Sequence, residues 1–305
     1  MKSLTFGIEI ELTGLTRKKA AEVIKELLGE GATIDSEGFR DFKVTAPDGR
    51  RWGLVYDGSL RAEKKERGRK VSAGDEYKVE LVSPICKYED IETVQEIVRT
   101  LRKAGAFANS SCGIHIHIGK EKFTPQALRN LVNIIASKED LIYKALNVET
   151  GRATNYCKKV DRNLVDRLNK TKPQTMGQFE NIWYKNFSSN RTQRYHPSRY
   201  YGLNLHPTFQ GDTVEFRFFN SSTHAGKVKS YIQLALAISH QALSQKSASA
   251  KKTITTNDKY TFRTWLLRLG MIGEEFETAR LHLLKELEGD TAFKNGRPER
   301  IAAGQ

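Results

Sequence analysis

Four short stretches of this chain carry acidic and imidazole side chains at alternate positions: Glu9 and Glu11 in FGIEIEL, Glu80 in EYKVELVS, His115 and His117 in CGIHIHIG, and Glu215 with Arg217 in TVEFRFF. The intervening residues are largely apolar, so each stretch reads as a half-buried strand with its polar groups on one face. Same-face neighbours on a strand lie ~6.5–7 Å apart, a span that one or two bound cations bridge. Two carboxylates at that separation, such as Glu9 and Glu11, repel by ~2 kcal/mol at an effective dielectric of about 20. A divalent cation turns that penalty into attraction. Carboxylate oxygens suit magnesium, and an imidazole among them shifts the preference toward manganese or a mixed site. A solvated sheet face explains any one of these strands alone. It does not explain four that accumulate Glu-x-Glu, His-x-His and Glu-x-Arg with almost no Thr or Lys between them.

The elements that must position these groups are legible from periodicity. Residues 4–13 alternate, with Leu4, Phe6, Ile8, Ile10 and Leu12 opposite Thr5, Gly7, Glu9, Glu11 and Thr13. From Thr16, a candidate N-cap, the spacing of Ala20, Val23, Ile24, Leu27 and Leu28 becomes helical, and Gly29 or Gly31 supplies the stop. Residues 50–56 and 76–83 read as strands around the charged segment RAEKKERGRKVSAGD (61–75), which lacks apolar periodicity and reads as a mobile, solvated loop. Helices are expected over about 88–103 and, opened by Thr124 before Pro125, to about Leu146. Within 150–200, short helical stretches mix with the basic and aromatic run NIWYKNFSSNRTQRYHPSRYYGLNL, expected to shape a substrate-proximal pocket. Strands near 200–206 and 213–219, a helix over 226–245, and helices over about 258–269 and 274–288 follow. Strands with a clean polar face, scattered among helices, argue for an α+β fold rather than a doubly wound parallel sheet. The organisation expected is one domain over 1–288, helical from about 226, with a flexible tail over 289–305.

Composition narrows the function classes. Hydrophobic residues make up 38% and charged residues 28%, as in an ordinary globular protein, and no apolar run approaches the ~20 residues that cross a bilayer. The opening MKSLTFGIEIEL puts two glutamates where a secretory signal needs an uninterrupted apolar core, and Cys86, Cys112 and Cys157 form neither a C-x-x-C pair nor a disulfide framework. A cytoplasmic setting is the expectation. The net charge of +14 attracts polyanions, nucleic acid among them, without specifying one. Neither G-x-x-x-x-G-K-[ST] nor a strand-borne G-x-G-x-x-G occurs, which excludes a P-loop as the source of nucleotide binding.

The ordered set FGIEIE, DGSL, ELVSP, CGIHIHIG, RYYGLN and TVEFRFF resembles the amidoligase family, of the glutamine synthetase and glutamate-cysteine ligase superfamily of carboxylate-amine ligases. The resemblance spans roughly residues 5–240. It implies a curved antiparallel sheet of glutamine-synthetase catalytic-domain type, with helices on its convex face and Mg-ATP and a substrate carboxylate on the other. It implies that Glu9, Glu11, Glu80 and Glu215, with His115 or His117, are ligands of magnesium, manganese being an alternative. Arg217 would neutralise the transferring phosphoryl group, Arg199 and Asn204 would hold nucleotide or substrate, and Asp57 of DGSL would stand near the amine. The implied activity is ATP-dependent amide or isopeptide formation through an acyl phosphate, with a carboxylate and an amine as partners, a peptide or protein side chain among the candidates.

Two other readings use the same residues. His115, His117 and Glu121 resemble part of a cupin metal motif, but its second half is missing and Glu9 and Glu11 would be left over. A basic nucleic-acid-binding or nucleic-acid-modifying protein would use the carboxylates as a metal site and the aromatic-basic run to stack bases.

Overall fold

In the computed structural model, which describes residues 1–38 and 40–295, the expected strands assemble into a single antiparallel sheet. The strands, in chain order, are β1 (Phe6–Leu12), β2 (Thr33–Glu37), β3 (Asp41–Thr45), β4 (Arg51–Val55), β5 (Glu63–Glu66), β6 (Arg69–Ser72), β7 (Val79–Val82), β8 (Gly113–Gly119), β9 (Leu203–Asn204) and β10 (Thr213–Asn220). Eight of them pair in the order β2-β3-β4-β7-β1-β8-β10-β9, while β5 and β6 form a separate hairpin. The helices are α1 (Arg17–Leu28), α2 (Ile91–Lys103), α3 (Pro125–Ala145), α4 (Thr150–Asn155), α5 (Arg162–Thr171), α6 (Met176–Trp183), α7 (His206–Gln210), α8 (Ala225–Ser244), α9 (Asp258–Arg268) and α10 (Glu277–Leu284). The molecule is therefore α+β, built on a large antiparallel sheet.

Alternation sorts the sheet into two faces. Phe6, Ile8, Ile10 and Leu12 of β1, Ile114, Ile116 and Ile118 of β8, and Val79 and Leu81 of β7 are all buried. They join one apolar cluster with Val23 and Ile24 of α1, Val94, Ile97 and Leu101 of α2, and Val228, Ile232 and Ala235 of α8. α8 is buried over most of its surface, with the apolar run 234–238 flanked by buried Ser230, Gln233 and Ser239, and packs against α2, α3, α10 and β8. Because side chains alternate, covering these apolar positions commits Glu9, Glu11, His115 and His117 to the opposite face.

Local signals placed most boundaries. Thr16 Oγ1 accepts from Lys19 N at 3.2 Å and Gly29 closes α1 at φ 85°; Thr124 Oγ1 accepts from Ala127 N, also at 3.2 Å, ahead of Pro125. Four expectations need correction. Segment 61–75 is not a structureless loop: it contains the β5–β6 hairpin, turning through Arg67 and Gly68 at φ 48° and 80°. Lys and Glu on both faces of that ribbon erase the alternation that reveals a strand. β2 and β3 escaped the reading because Thr33–Glu37 carries one large apolar residue. The strand expected over 200–206 shrinks to Leu203–Asn204 and gives way to α7 at His206, and the last helix is confined to Glu277–Leu284 after a 3-10 turn. No helix or strand occurs over 289–295; the tail beyond that lies outside the described residues. Among the described residues no helix is long and apolar enough to cross a membrane.

Candidate functional site

Register brings the four polar faces into one patch. Glu9 stands opposite His115, Glu11 opposite Glu80, and Glu215 opposite His117, so the ligand-type side chains occupy neighbouring positions on β7, β1, β8 and β10. Glu9 Oε2 lies 2.9 Å from His115 Nδ1, and Glu9 Oε1 lies 3.5 Å from His117 Nε2. His115 Nε2 is 3.7 Å from Glu11 Oε1, and its Nδ1 is 3.8 Å from Glu215 Oε1. Two overlapping groups result, Glu9–His115–Glu215 and Glu11–Glu80–His115, each with its donor atoms within 4.8 Å of one another.

The two groups differ in charge balance. Burial pushes the Glu9 carboxyl up, but the His117 and His115 imidazoles outweigh it and hold the group well below the usual carboxylate range. Burial likewise opposes ionisation of Glu215, and Arg217, His117 and His115 overcome it. His117 is desolvated, yet Glu9 and Glu215 raise its pKa above the ordinary histidine value. Glu11 and Glu80 go the other way. Burial lifts Glu11 despite His115 and Arg152, and lifts Glu80 well above 4.5 with help from Glu9, Glu11 and Asp57. Glu80 makes no hydrogen bond or ion pair among the described residues, and buried His117 Nε2 has no hydrogen-bond partner. Carboxylate oxygens and imidazole nitrogens at this spacing fit a magnesium- or manganese-type ion, which would add positive charge where burial outweighs the protein cations at Glu11 and Glu80.

β10 delivers Glu215 and Arg217 through a bulge. Phe216 pairs with Ile116 and Phe219 with Ile114, so Arg217 and Phe218 together oppose His115. Arg217 Nη1 donates to Glu215 Oε1, and Asn204 Nδ2 holds the other oxygen at 2.6 Å. Asn204 is 1% exposed, and its Oδ1 accepts from His206 N at 2.9 Å, so its amide serves Glu215 rather than the cleft.

A cleft of about 700 Å³ opens over this patch. Glu9, Glu11, Glu80, His115 and Arg217 line its floor, and Asp57, whose Oδ1 accepts from Ser59 N at 2.7 Å, is also in its lining. Arg199 lines the cleft as well, its guanidinium 5.3 Å from the ring centre of Tyr195 and 5.9 Å from that of Tyr200. His117, Glu215 and Asn204 are not among the residues that line it. The aromatic-basic run therefore does border the cleft, through Arg194, Tyr195, Arg199 and Tyr200. Cys112 is buried, its thiol pushed up to about 11 by that burial, which leaves it an inert core residue. Glu121 of the cupin-like stretch joins neither ligand group.

Sequence reasoning missed Arg152, on α4. Its buried guanidinium lines the cleft, Nη1 standing 3.8 Å from Glu11 Oε2. Nothing in its neighbourhood, ETGRATN, marks it out; only the fold carries it to the site. Asp41, which opens β3, and Tyr56, just past the end of β4, are also in the lining, and β4 reaches the site by pairing with β7, where Val55 stands opposite Glu80.

The family model described as "Putative amidoligase enzyme" matches residues 2–239, which takes in all the strands and every residue of the cleft named above. A search of curated proteins finds no match to the chain.

Proposed function

The chain belongs to the amidoligase family, and from that premise we propose that it joins a carboxylate to an amine in an ATP-dependent reaction proceeding through an acyl phosphate. The observation that carries this reading is the convergence of Glu9, His115 and Glu215 with Glu11 and Glu80, beside Arg217, in a cleft large enough for a nucleotide and a second substrate. The sheet is then of glutamine-synthetase catalytic-domain type.

A carboxylate is a poor electrophile, so the reaction is divided. A carboxylate oxygen attacks the terminal phosphorus of ATP and the bond to ADP breaks. The amine lone pair then attacks the acyl carbon, the bond to phosphate breaks, and the nitrogen loses a proton to give the amide. Glu9, Glu11, Glu80, Glu215 and His115 would hold magnesium or manganese, which when bound would neutralise phosphate oxygens. Arg217, anchored by Glu215, neutralises charge on the phosphoryl group in transit. Asp57, in the cleft lining, would draw in a cationic amine, and Arg199 with its two tyrosines would border the nucleotide. Asn204 acts through Glu215 in this scheme.

Mg-ATP is expected to raise the melting temperature of the protein, and Glu9→Ala or Glu215→Ala to abolish the rise. Turnover with a panel of amines and carboxylates should release ADP. Stabilisation by DNA with none by Mg-ATP would transfer the assignment to a nucleic-acid-binding protein, and release of AMP with pyrophosphate would rule out the acyl phosphate.

A further inference from the structure

Arg152 has a buried charge that the scheme above does not use. Its Nη2 donates to the main-chain carbonyls of Arg217 at 3.0 Å and Phe219 at 3.3 Å, the segment that the β10 bulge removes from regular pairing. The rest of the guanidinium has Glu11 as a counter-charge but no hydrogen bond among the described residues. Nη1 makes no hydrogen bond among the described residues, its nearest carboxylate oxygen standing at 3.8 Å, beyond hydrogen-bond range. Nε is fully buried without a partner. Arg217 repeats the pattern, with Nη1 on Glu215 and Nε unpartnered. The side chain of Arg152 is 4% exposed, and a guanidinium so buried is costly unless an anion completes it. The main chain makes room for it: a Cβ at Gly113 would collide with both of its terminal nitrogens.

We infer that Arg152 and Arg217 form a two-guanidinium oxyanion subsite beside the carboxylates, and that Arg152 engages the terminal phosphoryl group of Mg-ATP. This rests on the ligase reading. Both guanidinia line the same cleft, joined through the Arg217 carbonyl, and planar N–H donors suit phosphoryl oxygens. An oxyanion seated there would meet the unused donors on one side and the cation-binding carboxylates on the other.

The test compares the full-length parent, Arg152→Met, Arg152→Lys and Gly113→Ala by calorimetric titration with Mg-ADP and with a non-hydrolysable Mg-ATP analogue, and by spectroscopic titration with Mn2+. The parent should prefer the triphosphate. Arg152→Met should lose that preference by about ten- to a hundredfold, as for a hydrogen bond to a charged group, while its ADP and Mn2+ affinities stay at the parent values. Arg152→Lys, which keeps the charge and protects against a merely unfolded variant, should recover part of the loss, and Gly113→Ala should reproduce it by displacing the guanidinium. An undiminished triphosphate preference in Arg152→Met or Gly113→Ala overturns the inference and leaves the ligase reading standing. A parent that binds Mn2+ but no nucleotide removes both. A raised KM for the carboxylate substrate with the triphosphate preference intact would assign the subsite to the substrate carboxylate and overturn the phosphoryl assignment.

Discussion

Glu80 faces Glu9, Glu11 and Asp57, whose charges together with burial outweigh the opposing pull of Arg217, and the physics of that position is testable. Burial, then those three carboxylates, raise its pKa on folding well above 4.5. The folded state therefore holds the proton more tightly than the unfolded chain. Glu80 imposes no penalty below the unfolded value, and a growing one as pH rises from there toward the folded value. Glu80→Gln keeps the shape and removes the charge. In the presence of a chelator at pH 7 it should melt higher than the parent, by ~2–4 °C for a gain of order 1 kcal/mol. Thermal scans across pH should show the gap closing as pH falls toward the unfolded value, and added Mn2+ should reverse its sign. A variant that melts lower than the parent in chelator would mean that Arg217 compensates the Glu80 charge in full.

At the scale of elements, the short strand β9 illustrates how a minimal piece of structure serves a site. Two residues, Leu203 and Asn204, pair with Phe216 and Glu215 on β10, and that pairing brings the Asn204 amide to the Glu215 carboxylate. A carboxylate free to rotate is a poorer ligand than one held by a neighbouring donor. Asn204→Ala should therefore weaken Mn2+ binding by about 10- to 100-fold, the usual cost of losing a ligand's supporting hydrogen bond. Metal titration of the folded variant checks this, and an unchanged affinity would show that Arg217 alone fixes Glu215. The bulge in the neighbouring strand belongs to the same device. It opposes two residues, Arg217 and Phe218, to His115, and it frees the carbonyls that capture Arg152.

Over the whole molecule the charge is divided rather than uniform. The cleft floor gathers carboxylates, while Lys65, Arg102, Lys103 and Lys227 make no ion pair among the described residues and border two adjoining surface depressions near the start of α8. With a net charge of +14 this face should retain heparin or nucleic acid weakly, with log affinity falling linearly in log salt. Column retention across a salt series measures it. Arg102→Glu with Lys227→Glu should lower the retention and the salt slope while leaving Mn2+ binding in the cleft unchanged. Persistence of both in the double variant would place the polyanion elsewhere, the cleft rim with Arg194 and Arg199 being the next place to look.

The sequence by itself determined which residues belong together by type and which face of each strand they occupy. Alternation is a local property of the chain, so Ile8 and Ile10 placed Glu9 and Glu11, and Ile114 and Ile116 placed His115 and His117, before any pairing was known. Helix ends at Thr16, Gly29 and Thr124 were legible for the same local reason. Tertiary structure decided what depends on partners distant in the chain. Strand order put Glu80 beside Glu11 across 69 positions of sequence, the bulge turned Arg217 and its carbonyl toward Arg152, and the register of β9 assigned Asn204 to Glu215 rather than to the cleft. The β5–β6 hairpin stayed hidden because its side chains lack an apolar face, β2–β3 because each strand is five residues long and carries only one or two large apolar residues, and Arg152 because its role comes from the cavity into which the fold carries it.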